Sequence, residues 1–376
     1  MNEPLVTGEY QVNLYDLIQE VISAPMPFTD LMIEENSFIR ILLPDGWEVF
    51  ESHIPDRKSI KSFLDNIEPE WSSIIASDGA LSRPMLQLDN NDYPWRLRLN
   101  IYSTYCGKTI KIVIRRMPVT APSIADTGLP PTINVLLRAT RGLILITGST
   151  GSGKSTSMAA IVNALNEQRK SHIITIEDPI EYVYEPVKAV FSQREVGVDV
   201  PSFRIGVKNA LRQRPDIIVI GEVLDRETAE TALIASDSGH LVIGTLHANS
   251  AVSAISKLLS FFEGGDLDNK KRILANTLQG IIAQVLIPTV ERNGYVLASE
   301  VLINVSQKLT KLLYDPARLQ EALDTSPDGI SRSMGNALLK LIEQGKITAS
   351  EAHRVSGLPP KMYERFREAA KMVRKS

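Results

Sequence analysis

The sequence predicts an α/β protein: a mixed α+β domain at the N-terminus, a parallel-sheet domain in the middle and a helical region at the C-terminus. Two observations carry this prediction. Alternating polar and apolar residues mark strands in the first part of the chain, whereas short apolar runs alternate with amphipathic helices in the middle. With 376 residues, the chain has room for two or three domains of roughly 100 to 200 residues each.

Residues 1–117 combine helix and strand signals and contain no recognisable binding motif. Residues 14–22 have helical spacing, and residues 38–43 form a strand-like apolar run. The runs 95–102 and 110–116 alternate basic residues with leucine and isoleucine, as expected for strands with one charged face. An antiparallel sheet with helices is the simplest arrangement. The arginines on these strands have either a surface role or a functional one.

The rest of the chain divides at prolines and at a change of periodicity. Residues 118–131 contain four prolines and one glycine, which predicts a stiff linker between two domains. Residues 132–290 alternate strands and helices, and residues 291–376 are predicted to be mainly helical, ending in a basic helix. The basic helix is interpreted as a solvated face or as a contact with a membrane or partner.

A glycine-rich loop within residues 132–290 indicates a phosphate-binding site. It follows the apolar strand 143–147, precedes a helix and matches the phosphate-loop pattern at Gly148, Ser149, Thr150, Gly151, Ser152, Gly153, Lys154, Ser155 and Thr156. Glycines let backbone N–H groups approach phosphate oxygens, and the helix N-terminus favours the same anion. The pattern predicts ATP or a similar nucleotide, with Lys154 at the β- and γ-phosphates and Ser155 as a Mg²⁺ ligand.

Three further apolar runs, 173–176, 217–220 and 241–245, are predicted to lie beside this strand in the sheet. Each is followed by polar residues. Ligands of open α/β sheets bind beyond the carboxyl ends of the strands, so we expect these polar residues to converge on the nucleotide.

Carboxylates follow the first two of these runs. Glu177, Asp178 and Glu181 follow the first and all qualify by position to orient or deprotonate an attacking water. Glu222 follows the second, in a Walker B-like segment. An unpaired carboxylate at the end of a buried strand is costly, so Glu222 is expected to face Mg²⁺ or the nucleophilic water.

Two histidines, His240 and His247, bracket the third run. Residues seven apart along a strand lie roughly 23 Å apart, too far to share a metal ion. A γ-phosphate sensor and a structural hydrogen bond both remain open for this pair.

Composition restricts the class of function. A net charge of −3 argues against bulk nucleic-acid binding, and a single cysteine, Cys106, excludes both an intrachain disulfide and a thiolate zinc cluster. No signal peptide and no apolar run of about 18 residues is evident, so we expect no transmembrane segment and a cytoplasmic protein. A nucleic-acid translocase and a nucleotide-binding regulator without turnover are the rivals from other classes.

Four segments together resemble the Walker A, Asp box, Walker B and His box of the secretion traffic ATPases, most of all the PilT subfamily of type IV pilus retraction motors. They are residues 148–156, 176–181, 220–222 and 239–247, in the same order and spacing. The resemblance implies a PAS-like N-terminal domain, a RecA-like ATPase domain and a ring of six subunits. It further implies a motor for pilus retraction that docks on an inner-membrane platform protein.

The resemblance also assigns roles to individual residues. They are Glu181 as the catalytic glutamate, Glu222 as the Walker B carboxylate with Mg²⁺, His240 and His247 as the His-box pair, and Arg98 and Arg115 as N-domain arginines at the γ-phosphate.

Two departures from the subfamily keep an alternative open. Gln307-Lys308-Leu309-Thr310-Lys311-Leu312 replaces the motif that the subfamily associates with retraction, and Val223-Leu224 replaces the usual Met-Arg after the Walker B glutamate. A traffic ATPase of a conjugation or type IV secretion system is the alternative function.

Overall fold

The computed structural model describes residues 13–24, 26, 28–43, 46–51, 53–86, 95–118, 120–291, 294–304, 315–326 and 328–373. It divides into two compact units, Met1–Val119 and Thr120–Ser376. The first unit corresponds to the predicted α+β domain, and the second contains the glycine-rich loop.

In its described residues, the first unit consists of a six-stranded antiparallel sheet with three helices. Its elements are α1 (Leu14–Ser23), β1 (Asp30–Glu34), β2 (Ile39–Leu43), β3 (Gly46–Phe50), α2 (Arg57–Ile67), α3 (Trp71–Asp78), β4 (Ala80–Leu86), β5 (Trp95–Thr104) and β6 (Thr109–Pro118). The strand order is β3-β2-β1-β6-β5-β4.

The strands of this unit alternate between a buried and an outer face. Leu97, Leu99 and Ile101 of β5 are fully buried and join one core with the apolar stripe of α1. Arg98 lies between them in sequence and therefore belongs to the other face of the sheet. The periodicity of the sequence thus separates core from charged face.

The second unit is built around a seven-stranded sheet. Its strands are β7 (Gly142–Thr147), β8 (His172–Glu177), β9 (Val190–Glu195), β10 (Ile217–Ile220), β11 (Leu241–Leu246), β12 (Leu278–Pro288) and β13 (Tyr295–Ile303), in the order β13-β12-β7-β11-β10-β8-β9. Only the edge pair β12–β13 is antiparallel. Four of these strands fall on the apolar runs at 143–147, 173–176, 217–220 and 241–245.

Helices cover this sheet and continue beyond it. They are α4 (Ile124–Thr127), α5 (Ile133–Leu136), α6 (Lys154–Gln168), α7 (Phe203–Ala210), α8 (Arg226–Asp237), α9 (Ala251–Leu259), α10 (Gly264–Thr277), α11 (Pro316–Thr325), α12 (Met334–Glu343), α13 (Ala349–Ser356) and α14 (Pro360–Val373). The residues that gave α6 its helical spacing, such as Ile161 and Leu165, are fully buried. Two core clusters flank the parallel strands.

Part of the segment predicted to be a linker belongs to the second unit. Residues 120–131 include α4, and Leu129 is only 6% exposed in the core beside β7 and α6. Ala121 and Ile124 pack against the same core. This proline-containing segment is therefore packed, because its apolar residues are buried against the seven-stranded sheet of the second unit.

The C-terminal helices α12, α13 and α14 form a small core of their own against β12 and β13. Leu338, Phe366 and Ile287 are buried at its centre. The departure at residues 307–312 lies outside the described residues. Among the helices that the structure describes, none combines the length and the apolar character needed to traverse a bilayer.

Candidate nucleotide-binding site

The carboxyl ends of four parallel strands meet at one edge of the second sheet. Thr147 of β7 pairs with Leu246 of β11, and Ile220 of β10 pairs with both Gly244 of β11 and Ile176 of β8. The segments that follow these strands are therefore neighbours, as expected from the sequence. They comprise the phosphate loop, the acidic loop after β8, the Walker B segment and the segment after β11.

The backbone of the phosphate loop adopts conformations that require glycine. Gly151 and Gly153 have φ of +77° and +85°, and α6 begins directly after them at Lys154. Such positive φ values are costly for residues with a Cβ atom. Gly148 is constrained in another way, because an added Cβ would lie 2.3 Å from Ser152 Oγ and 2.5 Å from the backbone oxygen of Gln284.

Lys154 bends back over the loop. Its Nζ donates hydrogen bonds to the carbonyl oxygens of Gly148 at 3.0 Å and Ser149 at 2.9 Å. Burial lowers the pKa of Lys154, and the negative charges of Glu222 and Glu181 partly oppose this effect. Three predicted catalytic residues are thus electrostatically coupled. An ammonium group, a glycine loop and a helix N-terminus fit a phosphate group at this position.

The structure distinguishes the three acidic candidates after β8. Glu177 is 5% exposed, and its Oε1 accepts a long 3.5 Å hydrogen bond from Gln193 Nε2. Burial raises the pKa of Glu177 to about 7. Asp178 is exposed, whereas Glu181 is half-buried. Of the three, Glu181 is therefore the carboxylate whose charge acts on Lys154 and which remains partly accessible to solvent.

The acidic loop that follows β8 is hydrogen-bonded to α6, the helix that begins at the phosphate loop. Asn166 of α6 is fully buried, donates from Nδ2 to Glu185 O at 2.8 Å and accepts at Oδ1 from the N–H of Val187 at 2.9 Å. Tyr182 shares a 3.2 Å hydrogen bond with the hydroxyl of Thr156. These contacts hold the chain that follows Glu181 against α6. Asn166 is not among the residues predicted from the sequence; a polar residue on the buried face of a helix is its only signal.

Glu222 and His247 lie together at the ends of β10 and β11. The distance from His247 Nε2 to Glu222 Oε1 is 2.5 Å, and both side chains keep solvent access at 45% and 28% exposure. The two atoms lie at the distance of an ion pair. Glu222 Oε1 accepts no hydrogen bond among the described residues. Thr245 fixes this region by donating to the Gly221 carbonyl at 2.5 Å.

His240 lies at the opposite edge of the sheet. It precedes β11, its backbone oxygen accepts from Gly142 N–H at the start of β7, and its Nδ1 lies 3.1 Å from Ala235 O. The whole length of β11 separates it from His247, as the estimate of roughly 23 Å requires. Within its own chain, His240 lies at the end of β11 away from the phosphate loop, and its role in nucleotide binding stays a prediction.

Arg98 and Arg115 are cross-strand neighbours on the outer face of the first unit. They pair directly between β5 and β6. Arg115 Nε donates to Asp30 Oδ1 at 2.8 Å, and no ion pair is formed by Arg98 within the described residues. Two like charges placed opposite each other are unfavourable, so an anion at this surface would be stabilised. Arg116 differs, since it donates to Phe28 O at 2.6 Å and stacks on the Phe28 ring.

The structure adds Gln284 of β12 to the site. Its side chain is 3% exposed, and its Nε2 donates to the Ser152 carbonyl of the phosphate loop at 2.7 Å. Neither the strand β12 nor Gln284 is among the features predicted from the sequence. A single glutamine within the apolar run 281–287 was the available signal.

Comparison with known proteins gives a family and several relatives. A family model described as type II/IV secretion system protein matches residues 82–333. The type IV pilus ATPase PilU of Pseudomonas aeruginosa is 37% identical over 261 residues, which are 68% of this chain and 67% of PilU. The crystal structure of the pilus retraction motor PilT with bound ADP matches with a TM-score of 0.82 and 32% identity, covering 94% of this chain and 99% of PilT. The ATPase DotB of Legionella pneumophila matches with a TM-score of 0.79 and 27% identity, covering 95% and 98%.

Proposed function

We propose that this chain, which belongs to the family of type II/IV secretion system proteins, is an ATP-hydrolysing motor that drives type IV pilus retraction. The observation that carries the proposal is the arrangement around the phosphate loop, where Lys154 Nζ donates to two loop carbonyls and Glu222 follows β10 at the same edge of the sheet. The likeness to PilU and to ADP-bound PilT supports both the nucleotide and the process.

The phosphate loop and Lys154 bind the triphosphate. When phosphate is present, the Lys154 ammonium exchanges its carbonyl partners, Gly148 and Ser149, for phosphate oxygens, which form stronger charge-assisted hydrogen bonds. A hydroxyl and a carboxylate, from Ser155 and Glu222, are oxygen ligands of the kind that Mg²⁺ prefers. Mg²⁺ held there with the phosphates would neutralise charge that develops on the transferred group.

Glu181 is the residue that we assign to orient and deprotonate the attacking water. A general base must lie close to the attacking water, and Glu181 is a half-buried carboxylate whose charge acts on Lys154 of the phosphate loop. We do not assign Glu177 to this role, because its carboxyl group is buried and accepts a hydrogen bond from Gln193 Nε2. Asp178 is exposed to solvent.

His247 links the nucleotide site to the rest of the sheet. Its contact with Glu222 at 2.5 Å makes its orientation dependent on the charge around Glu222. That charge changes when a phosphate and a metal ion arrive or leave. His247 is therefore assigned as a sensor of the γ-phosphate, a role consistent with the donor capacity of imidazole.

Arg98 and Arg115 are proposed to act on the nucleotide of a neighbouring subunit in a ring of six. The ring and this role rest on the resemblance to secretion traffic ATPases. The pairing of two arginines with only one carboxylate, Asp30, supports an anion-binding surface. Arginine in this position would stabilise charge on the transferred phosphoryl group. We further propose a cytoplasmic location at the inner membrane, through a platform protein of the pilus machine.

The first experiment measures ATP binding and turnover in wild type and in point variants. Lys154→Ala should lose both binding and turnover. Glu181→Gln should keep ATP binding and lose turnover by about 10² to 10⁴-fold, the usual contribution of a general base. Asp178→Asn is the matched control and should turn over at the wild-type rate. Retained turnover in Glu181→Gln would refute the assignment of the base.

The second experiment decides the process that the motor serves. Pilus retraction and the transfer of DNA or effector proteins are measured side by side in deletion cells complemented with wild type or Lys154→Ala. Loss of retraction alone supports the proposal. Loss of transfer with normal pili would replace it with a motor of a conjugation or type IV secretion system.

A further inference from the structure

Gln284 reaches the phosphate loop from the neighbouring strand. Its backbone continues the pairing of β12 with β7, where Ala283 lies opposite Thr147, so its side chain arrives directly beside the loop. The amide Nε2 donates to Ser152 O at 2.7 Å. Since the side chain is 3% exposed, water does not compete for this hydrogen bond.

The peptide between Ser152 and Gly153 is the joint between loop and helix. On its C-terminal side, Ser157 N–H donates to Gly153 O at 3.0 Å and continues the helix. On its N-terminal side, Ser152 N–H donates to Ser149 O at 3.2 Å. The Ser152 carbonyl itself is held by Gln284 alone among the described residues.

Planarity of the peptide makes this hydrogen bond decisive for anion binding. The Ser152 carbonyl and the Gly153 N–H belong to one plane and point in opposite directions. Holding the carbonyl toward β12 therefore aims the Gly153 N–H away from β12, and this N–H makes no hydrogen bond within the described residues. A free backbone N–H of a glycine loop is the group that such loops offer to phosphate.

The same peptide is free to rotate without such a restraint. Gly153 has φ of +85° and, as a glycine, tolerates either orientation of the preceding plane. A rotated plane would present the Ser152 carbonyl oxygen to the phosphate in place of an N–H, and two negative partners repel. The loop sequence allows both orientations, so a contact from outside the loop has to select one.

We propose that Gln284 is a positioning residue for nucleotide binding: its side-chain amide holds the Ser152–Gly153 peptide so that the Gly153 N–H faces the phosphates. The inference rests on the proposed function for its substrate, ATP. Gln284 acts through the loop and does not touch the substrate. The backbone oxygen of Gln284 also packs closely against the loop, because it lies where a Cβ atom on Gly148 would be.

The test compares two variants that remove the donor. Gln284→Met keeps the length of the side chain, and Gln284→Glu keeps its shape but places a carboxylate oxygen against the Ser152 carbonyl. One lost hydrogen bond to an anion-binding peptide should raise the Kd for ADP and ATP by about five- to twentyfold. The effect on KM should exceed that on kcat, because ground state and transition state both use the loop. Gln279→Met is the matched control, on the same strand but at the opposite end of β7.

The measurements are ADP titration calorimetry, steady-state turnover and the thermal midpoint of the nucleotide-free protein. A raised Kd with a midpoint within about 3 °C of wild type supports the positioning role, since about 1 kcal/mol shifts a domain of this size by 2–4 °C. A Kd within about twofold of wild type in both variants would overturn it, given that tenfold is 1.4 kcal/mol. If Gln284→Met does not fold, Gln284→Glu decides. Failure of wild type to hydrolyse ATP would instead remove the proposed function and leave the ADP comparison valid.

Discussion

Glu177 should make the protein less stable as the pH rises through neutrality. Its carboxyl group is 5% exposed, and burial raises its pKa from 4.5 to about 7. Between these two values the folded protein binds this proton and the unfolded chain does not, so the free energy of unfolding falls as pH rises. The contribution of Glu177 is fully present below about pH 4.5 and is lost above about pH 7.

The structure sets the size of this effect. A difference between 4.5 and about 7 corresponds to about 3 kcal/mol at 1.36 kcal/mol for each pKa unit. Glu177→Gln removes the ionisable group and keeps its shape. At pH 5 the variant and wild type should have similar stability, whereas at pH 8 the variant should be the more stable by about 3 kcal/mol. For a domain of this size, the thermal midpoint should rise by about 6–12 °C.

The assay is thermal unfolding from pH 5 to pH 8, followed by the fluorescence or circular dichroism of the full chain. Asp178→Asn is the matched control, because it removes an adjacent carboxylate that is exposed. The control should follow the wild-type curve at every pH. Equal pH dependence in wild type and Glu177→Gln would refute the reasoning, since the buried carboxyl would then titrate in the folded protein as it does in the unfolded chain.

Three further predictions concern packing around the site. Gly148→Ala should lose nucleotide binding in an equilibrium titration, because its Cβ would lie 2.3 Å from Ser152 Oγ; normal affinity would contradict this packing. Asn166→Ala should lower the free energy of unfolding by about 2–3 kcal/mol in urea, since it leaves one buried and two partly buried backbone groups without their side-chain partner, and Asn163→Ala on the same helix should not. Glu300→Gln should destabilise the protein by about 2 kcal/mol. The buried Glu300 carboxylate accepts from the first N–H of both α9 and α12, and an amide would replace one of these acceptors with a donor. An unchanged urea midpoint would argue against this link between the two helices.

The sequence by itself determined the elements that depend on contiguous residues. The phosphate loop, the strands on either side of its helix and the alternation of the N-terminal strands follow from local periodicity and from the backbone preferences of glycine. Such signals lie within a window of a few residues. They also placed the acidic residues and the histidines near strand ends, but they could not rank them.

Only the tertiary structure decided which of these candidates act together. Glu177, Asp178 and Glu181 are almost adjacent in sequence, yet burial differs among them because each side chain meets different neighbours. The length of β11 carries His240 and His247 to opposite edges. Gln284 and Ser152 are 132 residues apart and meet through strand pairing alone. Contacts of this kind depend on the packing of distant segments, which local periodicity does not encode.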